Sequence, residues 1–201
     1  MTGAFTRAVS DAASPPYAAA SETSSDETLI GRIAGGDQLA MRTLFARHRV
    51  PVYRWLLRIV RDKTLAEDLV SDVFLDVWRQ ATSFKGRASV STWLLAIARY
   101  KALSARRRRI DAELDARTAS TIADPADDPE TALQKKKRSE LLRDSLAQLS
   151  PEHGEVIDLV YYHGKSVKEV ADIVGIAEAT VKTRMFYARK KLAELVGTAS
   201  S

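Results

Sequence analysis

Between positions 26 and 109, apolar residues return every three or four positions with almost no alternating stretch, the period of helices that bury one face. Leu29, Ile30 and Ile33 predict a short first helix stopped at Gly35-Gly36. Asp37 can cap a second helix carrying Leu44, Phe45, Tyr53, Trp55 and Leu56, which Pro51 is expected to bend or break. Thr64 and Glu67 have capping-box spacing and open a third, TLAEDLVSDVFLDVWRQA. Leu65, Leu69, Val73 and Val77 descend this helix every fourth residue, with Phe74 and Trp78 beside them. Phe84-Lys85-Gly86 interrupts the pattern. A fourth helix then starts near Ser91, STWLLAIARYKALSARRRR, apolar at its beginning and cationic at its end.

The pattern lapses over residues 111–130. Asp111, Glu113, Asp115, Asp124, Asp127, Asp128 and Glu130 face a single base, Arg117, and Pro125 and Pro129 punctuate the segment. This composition predicts an acidic linker over 111–132, helical at most in its first few residues. Helical periodicity resumes over 133–149. A helix capped by Ser150 follows, with Pro151 at the favoured first position, and ends near Gly164.

Residues 166–192, SVKEVADIVGIAEATVKTRMFYARKKL, predict two short helices hinged at Gly175. Ser166 and Glu169 form a capping box, Ala171 is small where the helices must cross, and Gly175 can take the positive φ that ends the first. Val170, Ile173 and Val174 form its apolar face. At about 100° per residue, Met185, Ala188 and Leu192 fall within roughly 40° of Val181 on the second helix, while Arg189, Lys182, Phe186, Lys190 and Thr183 span an arc from about 80° to about 200°. A packed seam opposite a face of cations, a hydroxyl and an aromatic is the layout of a helix-turn-helix, whose second helix enters the DNA major groove. Lysine and arginine neutralise phosphates, arginine also bridges guanine edges, and Phe or Thr methyl groups can touch thymine methyls. The plain alternative is a solvated charged face on a helical hairpin.

The chain predicted is therefore all-α: two small helical domains joined by an acidic linker, the C-terminal one a four-helix module containing the helix-turn-helix. The boundaries fall at a disordered tail over 1–25, a first domain over 26–110, the linker over 111–132, a second domain over 133–196 and a tail over 197–201. Its 201 residues and 45% apolar content suffice for two cores. Lys and Arg number 31 against 26 Asp and Glu, a net charge of +5, so what matters is where the cations sit. The absence of cysteine excludes disulfides and thiolate metal sites and suits a reducing, cytoplasmic setting. His48, His153 and His163 have no metal-ligand spacing and are expected in surface or packing roles, so no metal or cofactor is expected. No apolar run approaches the roughly 20 residues of a membrane span, so no membrane insertion is expected.

The second concentration of cations lies over 99–109: Arg99, Lys101, Arg106, Arg107, Arg108 and Arg109. Helical geometry spreads four consecutive arginines around the axis, so they are either solvated or bound to a polyanion. Phe84, Ser89, Ser91, Thr92, Trp93 and Tyr100 stand just before or among them. Aromatics beside a cationic rail suit single-stranded nucleic acid, whose unpaired bases stack while its phosphates are neutralised. Trp78 and Trp93 are the stronger candidates for simple core residues; Tyr100 is less easily placed there. A duplex reader paired with a candidate strand-opening surface suggests promoter recognition with melting.

In their order and spacing, AEDLVSDVFLDVW, STWLLAIARYKAL followed by RRRR, LSPEHGEVIDLVYYHGKS and VADIVGIAEATVKTRMFYARKKL resemble the bacterial RNA polymerase sigma factors of the extracytoplasmic-function (ECF) group. The resemblance spans about 26–195. It implies that the AEDLVSDVFLDVW helix docks on the β′ clamp of core RNA polymerase through Asp68, Asp72 and Asp76, with further contact to β. Those three acids recur every fourth residue, which places them toward one side of the helix. It also implies that residues 91–109, with Trp93, Arg99, Tyr100, Lys101, Arg106 and Arg107, bind and open the −10 element. The second helix of the helix-turn-helix would read the −35 element as duplex through Lys182, Thr183, Phe186, Tyr187, Arg189 and Lys190. Promoter DNA and an anti-sigma factor are the further partners implied, and the acidic linker would thread polymerase near the RNA path.

Three positions depart from the family's habit. Tyr100 stands where many relatives carry the Asn that helps hold a flipped base, and could stack instead. Tyr187 replaces a common arginine, and Ala177 replaces a helix-capping residue, leaving Glu178 to favour the helix start. These bear on promoter sequence rather than on class. A helix-turn-helix regulator working without core polymerase would explain residues 133–195 but neither the cationic rail nor the linker. An enzyme would need a nucleophile–base constellation, a glycine-rich phosphate loop or a metal cluster, none of which the sequence offers.

Overall fold

The computed structural model describes residues 24–115, 145–146 and 148–198. Nearly all of the expected N-terminal tail and of the acidic linker, and most of the 133–149 helix, lie outside the described residues.

The first module is built from four helices. Helix α1, Asp26–Ala34, is capped by Ser25 and closes at Gly35. Asp37 links it to α2, Gln38–Val60: its carboxylate accepts the Leu39 and Ala40 amides at 2.9 and 3.1 Å and receives Arg32 Nε at 2.9 Å. The Ala40 amide and the Arg32 guanidinium hold the Asp37 carboxyl below its ordinary range. Pro51 lies inside α2, yet the helix runs through it as one element. The missing N–H costs one backbone hydrogen bond, but Leu44 before the proline and Val52, Trp55 and Leu56 after it are buried in a single core, which holds both halves in line.

Helix α3, Lys63–Gln80, starts earlier than its sequence suggests. Asp62, not Thr64, is the cap, accepting the Leu65 amide at 3.0 Å. Arg61 is left-handed at φ 55°, which closes α2 and delivers Asp62 to the new helix start. Leu69, Val73, Phe74 and Val77 are buried, and Leu65 and Trp78 partly so. A 3-10 turn, Ala81–Ser83, and Gly86 at φ 65° lead to α4, Val90–Asp115. Ser89 starts α4, its oxygen atoms accepting the Thr92 and Trp93 amides. Trp55 fills the centre, and its indole N–H is satisfied by the Leu95 carbonyl at 3.1 Å.

The second module contains α5, Pro151–Ile157, a π turn over Asp158–Tyr162, α6, Val167–Val174, and α7, Glu178–Thr198. Ser150 caps α5 with Pro151 in its first turn. The Ser166–Glu169 capping box is complete, and Gly175 ends α6 at φ 74°. Val181, Met185 and Ala188 are buried along α7 and Leu192 is half-buried, as the angular count requires.

The described residues contain helices and turns but no strand. The two modules do not stand apart. Val156, Leu159, Val170, Ile173, Val174, Val181 and Met185 belong to the same buried cluster as Trp55, Val73 and Leu94. Helix α6 packs on α4, while α5 and the π turn reach α4 and α2 through Glu155 and Asp158.

Candidate nucleic-acid and polymerase-docking interface

The acid row on α3 divides. Asp68 and Asp72 are exposed, whereas Asp76 is half-buried and paired with Lys101 Nζ on α4 at 2.8 Å. Steps of four residues drift by about 40° each on a helix of 3.6 residues per turn, so the row winds toward α4. That pair joins two residues expected in different interfaces, one for polymerase and one for DNA. Leu75, overlooked in the sequence, lies about 20° from Asp68 on the same wheel. It is exposed, unlike the rest of the helix's large apolar set. Its position off the buried stripe was the available signal.

Helix α4 presents its cations unequally. Arg106 and Arg107 are exposed, and Tyr100 is 72% exposed, consistent with a ring outside the core. Trp93 is half-buried with its ring centroid 5.1 Å from that of Phe84, a packing role on one edge of the helix. Arg99 is held by the second module: its Nε and Nη2 donate to the two carboxylate oxygens of Glu155 at 2.6 and 3.2 Å. Such two-pronged, charge-assisted pairs are geometrically specific.

The start of α4 is covered as well. Ser89 and Thr92 hydroxyls donate to Glu169 Oε1 at 3.0 and 2.7 Å, and Lys165 Nζ donates to Ser91 Oγ at 2.6 Å. Glu169 thus has two tasks. Oε2 completes the capping box with the Ser166 amide, while Oε1 ties α6 to α4. Burial pushes its carboxyl up, but the hydrogen bonds from Thr92, the Ser166 amide and hydroxyl, and Ser89 outweigh it and bring the pKa to about 2. Around the other flank, Arg58 lies 3.7 Å from Asp158, the Arg54 guanidinium meets the Tyr162 hydroxyl, and the His163 ring packs edge-on to Trp55. The His163 side chain is buried, 3.5 Å from Asp158. None of these cross-module partners was legible as such in the sequence.

Helix α7 is arranged differently. Lys182, Thr183, Phe186, Tyr187, Arg189 and Lys190 are all exposed on the side away from the buried seam. Phe186 and Tyr187 meet edge to face, 5.4 Å between centroids. Thr183 donates its hydroxyl to the Ala179 carbonyl and Arg189 Nε donates to the Met185 carbonyl, so both side chains lean back on their own helix. The remaining guanidinium nitrogens of Arg189 can still reach a ligand. Ala177 offers no side-chain cap, and its carbonyl simply accepts the Val181 amide.

Residues 44–110 match the Sigma-70 region 2 family and residues 139–192 the Sigma-70, region 4 family, which defines the class: a sigma factor built of a region 2 and a region 4. The chain is 34% identical over 164 residues to the ECF RNA polymerase sigma factor SigL of Mycobacterium tuberculosis, covering 79% of this chain and 90% of that one. It is 35% identical over 169 residues to the RNA polymerase sigma factor CarQ of Myxococcus xanthus, covering 83% and 94%. The chain belongs to the ECF RNA polymerase sigma factors. Members bind core RNA polymerase and direct promoter-specific initiation, and this chain carries both regions that do so.

Two solved structures are also similar. The sigma factor RpoE in complex with the anti-sigma factor NepR from Bartonella quintana is 26% identical with a TM-score of 0.61, covering 78% of this chain and 96% of that one. CnrH in complex with the cytosolic domain of CnrY is 25% identical with a TM-score of 0.63, covering 87% and 99%. Among the described residues, no helix is long and apolar enough to cross a membrane.

Proposed function

We propose that residues 26–110 dock on core polymerase and open the −10 element, while residues 133–196 read the −35 element as duplex. The exposed Asp68 and Asp72 on α3, with Leu75 beside Asp68 on the wheel, form the face offered to the β′ clamp. Asp76 supports that face from behind through Lys101. On α4, Tyr100, Arg106 and Arg107 meet the separated strand, joined by Arg99 once Glu155 releases it, and Trp93 braces the helix. On α7, Lys182, Arg189 and Lys190 neutralise phosphates or bridge base edges while Phe186, Tyr187 and the Thr183 methyl approach bases.

The observation that carries this reading is the pairing, in one chain, of a cationic helix with an outward aromatic and a separate helix-turn-helix whose cations lie opposite its packed seam. Control by an anti-sigma factor is supported by the similarity to RpoE, whose structure is of a complex with the anti-sigma factor NepR. Core polymerase mixed with this protein and genomic DNA should start transcripts at a subset of sites that core alone ignores, and mapping those starts gives the promoter sequence. Tight duplex binding without core, together with no initiation in its presence, would instead make the chain a conventional helix-turn-helix regulator.

A further inference from the structure

Helix α2 is one-sided in its charge. Over Gln38–Val60 it carries Arg42, Arg47, Arg49, Arg54 and Arg58 with His48, and no aspartate or glutamate. The reading above assigns none of these cations to polymerase or to DNA. Some are answered from outside the helix: Arg58 by Asp158 at 3.7 Å, and Arg47 and His48 by Asp26 at 2.9 and 2.6 Å. Arg54 is different. Among the described residues it meets no carboxylate; its guanidinium donates to the Tyr162 hydroxyl and lies over that ring, 5.3 Å from the centroid.

Beside Arg54 a cleft of about 430 Å³ opens between α2, the start of α4 and the chain from Tyr162 to Lys165. Arg47, His48, Arg54 and Lys165 all line it, and no aspartate or glutamate does. Val52, Leu94 and Leu95 supply an apolar wall. Lys165 is only 8% exposed, with its Nζ 2.6 Å from Ser91 Oγ and 3.5 Å from Glu169 Oε1. An ammonium has three N–H donors, so one is left over, and a cation this deep gains from a further anion. Cations gathered over a concave wall of low dielectric focus positive potential into the space they enclose. The cleft's volume lies in the range of small-molecule sites, and so does its make-up, an apolar wall with a few convergent polar groups.

We propose that this cleft binds a small phosphorylated molecule of the nucleotide class, its phosphates held by Arg54 and Lys165 and its planar base against Val52, Leu94 and the Tyr162 ring. A guanidinium fork on one side and an ammonium on the other suit a group with several charged oxygens better than a lone carboxylate. The remaining volume and the apolar wall take the base. The site needs neither core polymerase nor promoter, so it goes beyond the sigma-factor reading and fails or stands separately from it.

The probe is ADP, with inorganic phosphate and adenosine as its two halves, titrated into full-length protein by calorimetry and thermal unfolding. ADP should bind saturably at one site and, in large excess, raise the melting temperature by about 3 °C, as a ligand of the folded state alone does. Phosphate should bind more weakly than ADP, and adenosine should give no measurable heat. Arg54→Gln, at an exposed position, and Lys165→Met, which keeps the packed stem, should each weaken ADP binding about tenfold, the loss expected for one charge-assisted hydrogen bond. Arg107→Gln removes an exposed cation at the far end of α4 and should leave ADP affinity unchanged. A photoreactive azido-ADP should label the peptide containing Tyr162, read by mass spectrometry.

Absence of saturable ADP binding overturns the site, as does unchanged affinity in both cleft variants when circular dichroism shows them folded. An equal loss in Arg107→Gln, or labelling confined to the arginine-rich end of α4, would put ADP on the DNA-binding surface and overturn it as well.

Discussion

Helices α4 and α7 carry similar chemistry, arginine and lysine beside exposed aromatic rings, yet they present it in opposite ways. In α7 one narrow seam of Val181, Met185, Ala188 and Leu192 carries the packing, and the opposite side faces solvent, with Phe186 62% and Tyr187 53% exposed. Helix α4 is packed from two directions. Asp76 of α3 takes Lys101 on one side and Glu155 of α5 takes Arg99 on the other. Among its described side chains, Tyr100, Leu103 and those from Arg106 to Ile110 remain open. A helix that reads intact duplex can be kept permanently exposed, because docking asks no rearrangement of the DNA. A helix that stabilises separated strands is useful only after melting has begun, and here its first turns are covered.

The sharpest way to break this contrast is to reverse the charge on the open helix. Lys182→Glu combined with Arg189→Glu should reduce promoter-directed initiation by about 100-fold or more, from the loss of two groove or phosphate contacts and the repulsion that replaces them. Affinity for core polymerase, measured by fluorescence anisotropy, should not change. Loss of core binding in that variant would mean α7 has been assigned the wrong partner.

The acids of α3 give the next largest effect and test whether their division is real. Asp72→Lys should weaken core binding by about tenfold at low salt, with less loss at high salt, as for an exposed charge at an interface rim. Asp76→Asn should act mainly on stability, costing roughly 1 kcal/mol of unfolding free energy through loss of the half-buried pair with Lys101, seen as a lower melting temperature. Equal losses of core affinity from the two variants would contradict the distinction between exposed and internally paired acids.

Acidification sharpens the contrast on the covered side. Glu169 is held at about 2 against an ordinary 4.5, so its contribution is complete above about 4.5 and is lost as pH falls from there toward 2. Energy transfer between fluorophores placed at Arg87→Cys and Lys168→Cys, which flank the Ser89–Glu169 contact, should therefore decline over that window, and Glu169→Gln should flatten the decline while retaining the capping box. The smallest effect is expected at Tyr187. Tyr187→Arg adds one cation to an already exposed face and should raise duplex affinity by about two- to fivefold, steepening its salt dependence by about one phosphate contact.

How much of this was readable in the sequence depends on how far apart the interacting residues are. The Ser166–Glu169 box, Gly175, the α7 seam and the Asp37 cap are set within a turn or two of chain, and the structure contains each of them. Where local signals competed, the reading was less secure. Thr64 had the spacing of a cap, but Asp62 reaches the Leu65 amide first, and Pro51 was outweighed by a core that grips α2 on both sides. The candidate site was legible as residue types on helix faces, not as partners. Arg99 with Glu155, Lys101 with Asp76 and Thr92 with Glu169 join residues distant in sequence, and nothing in their local spacing announces the pairing. Those long-range pairs distinguish a covered rail from an open one.

The most direct test is permanganate reactivity of thymines at a promoter bound by full-length protein, with and without core polymerase, read beside footprint protection upstream. The expected result is reactive thymines in the −10 region only when core is present, with −35 protection lost in the Lys182→Glu, Arg189→Glu protein. Reactive −10 thymines produced by the protein alone, or no reactivity even with core, would contradict an α4 that opens DNA only after polymerase has engaged the chain.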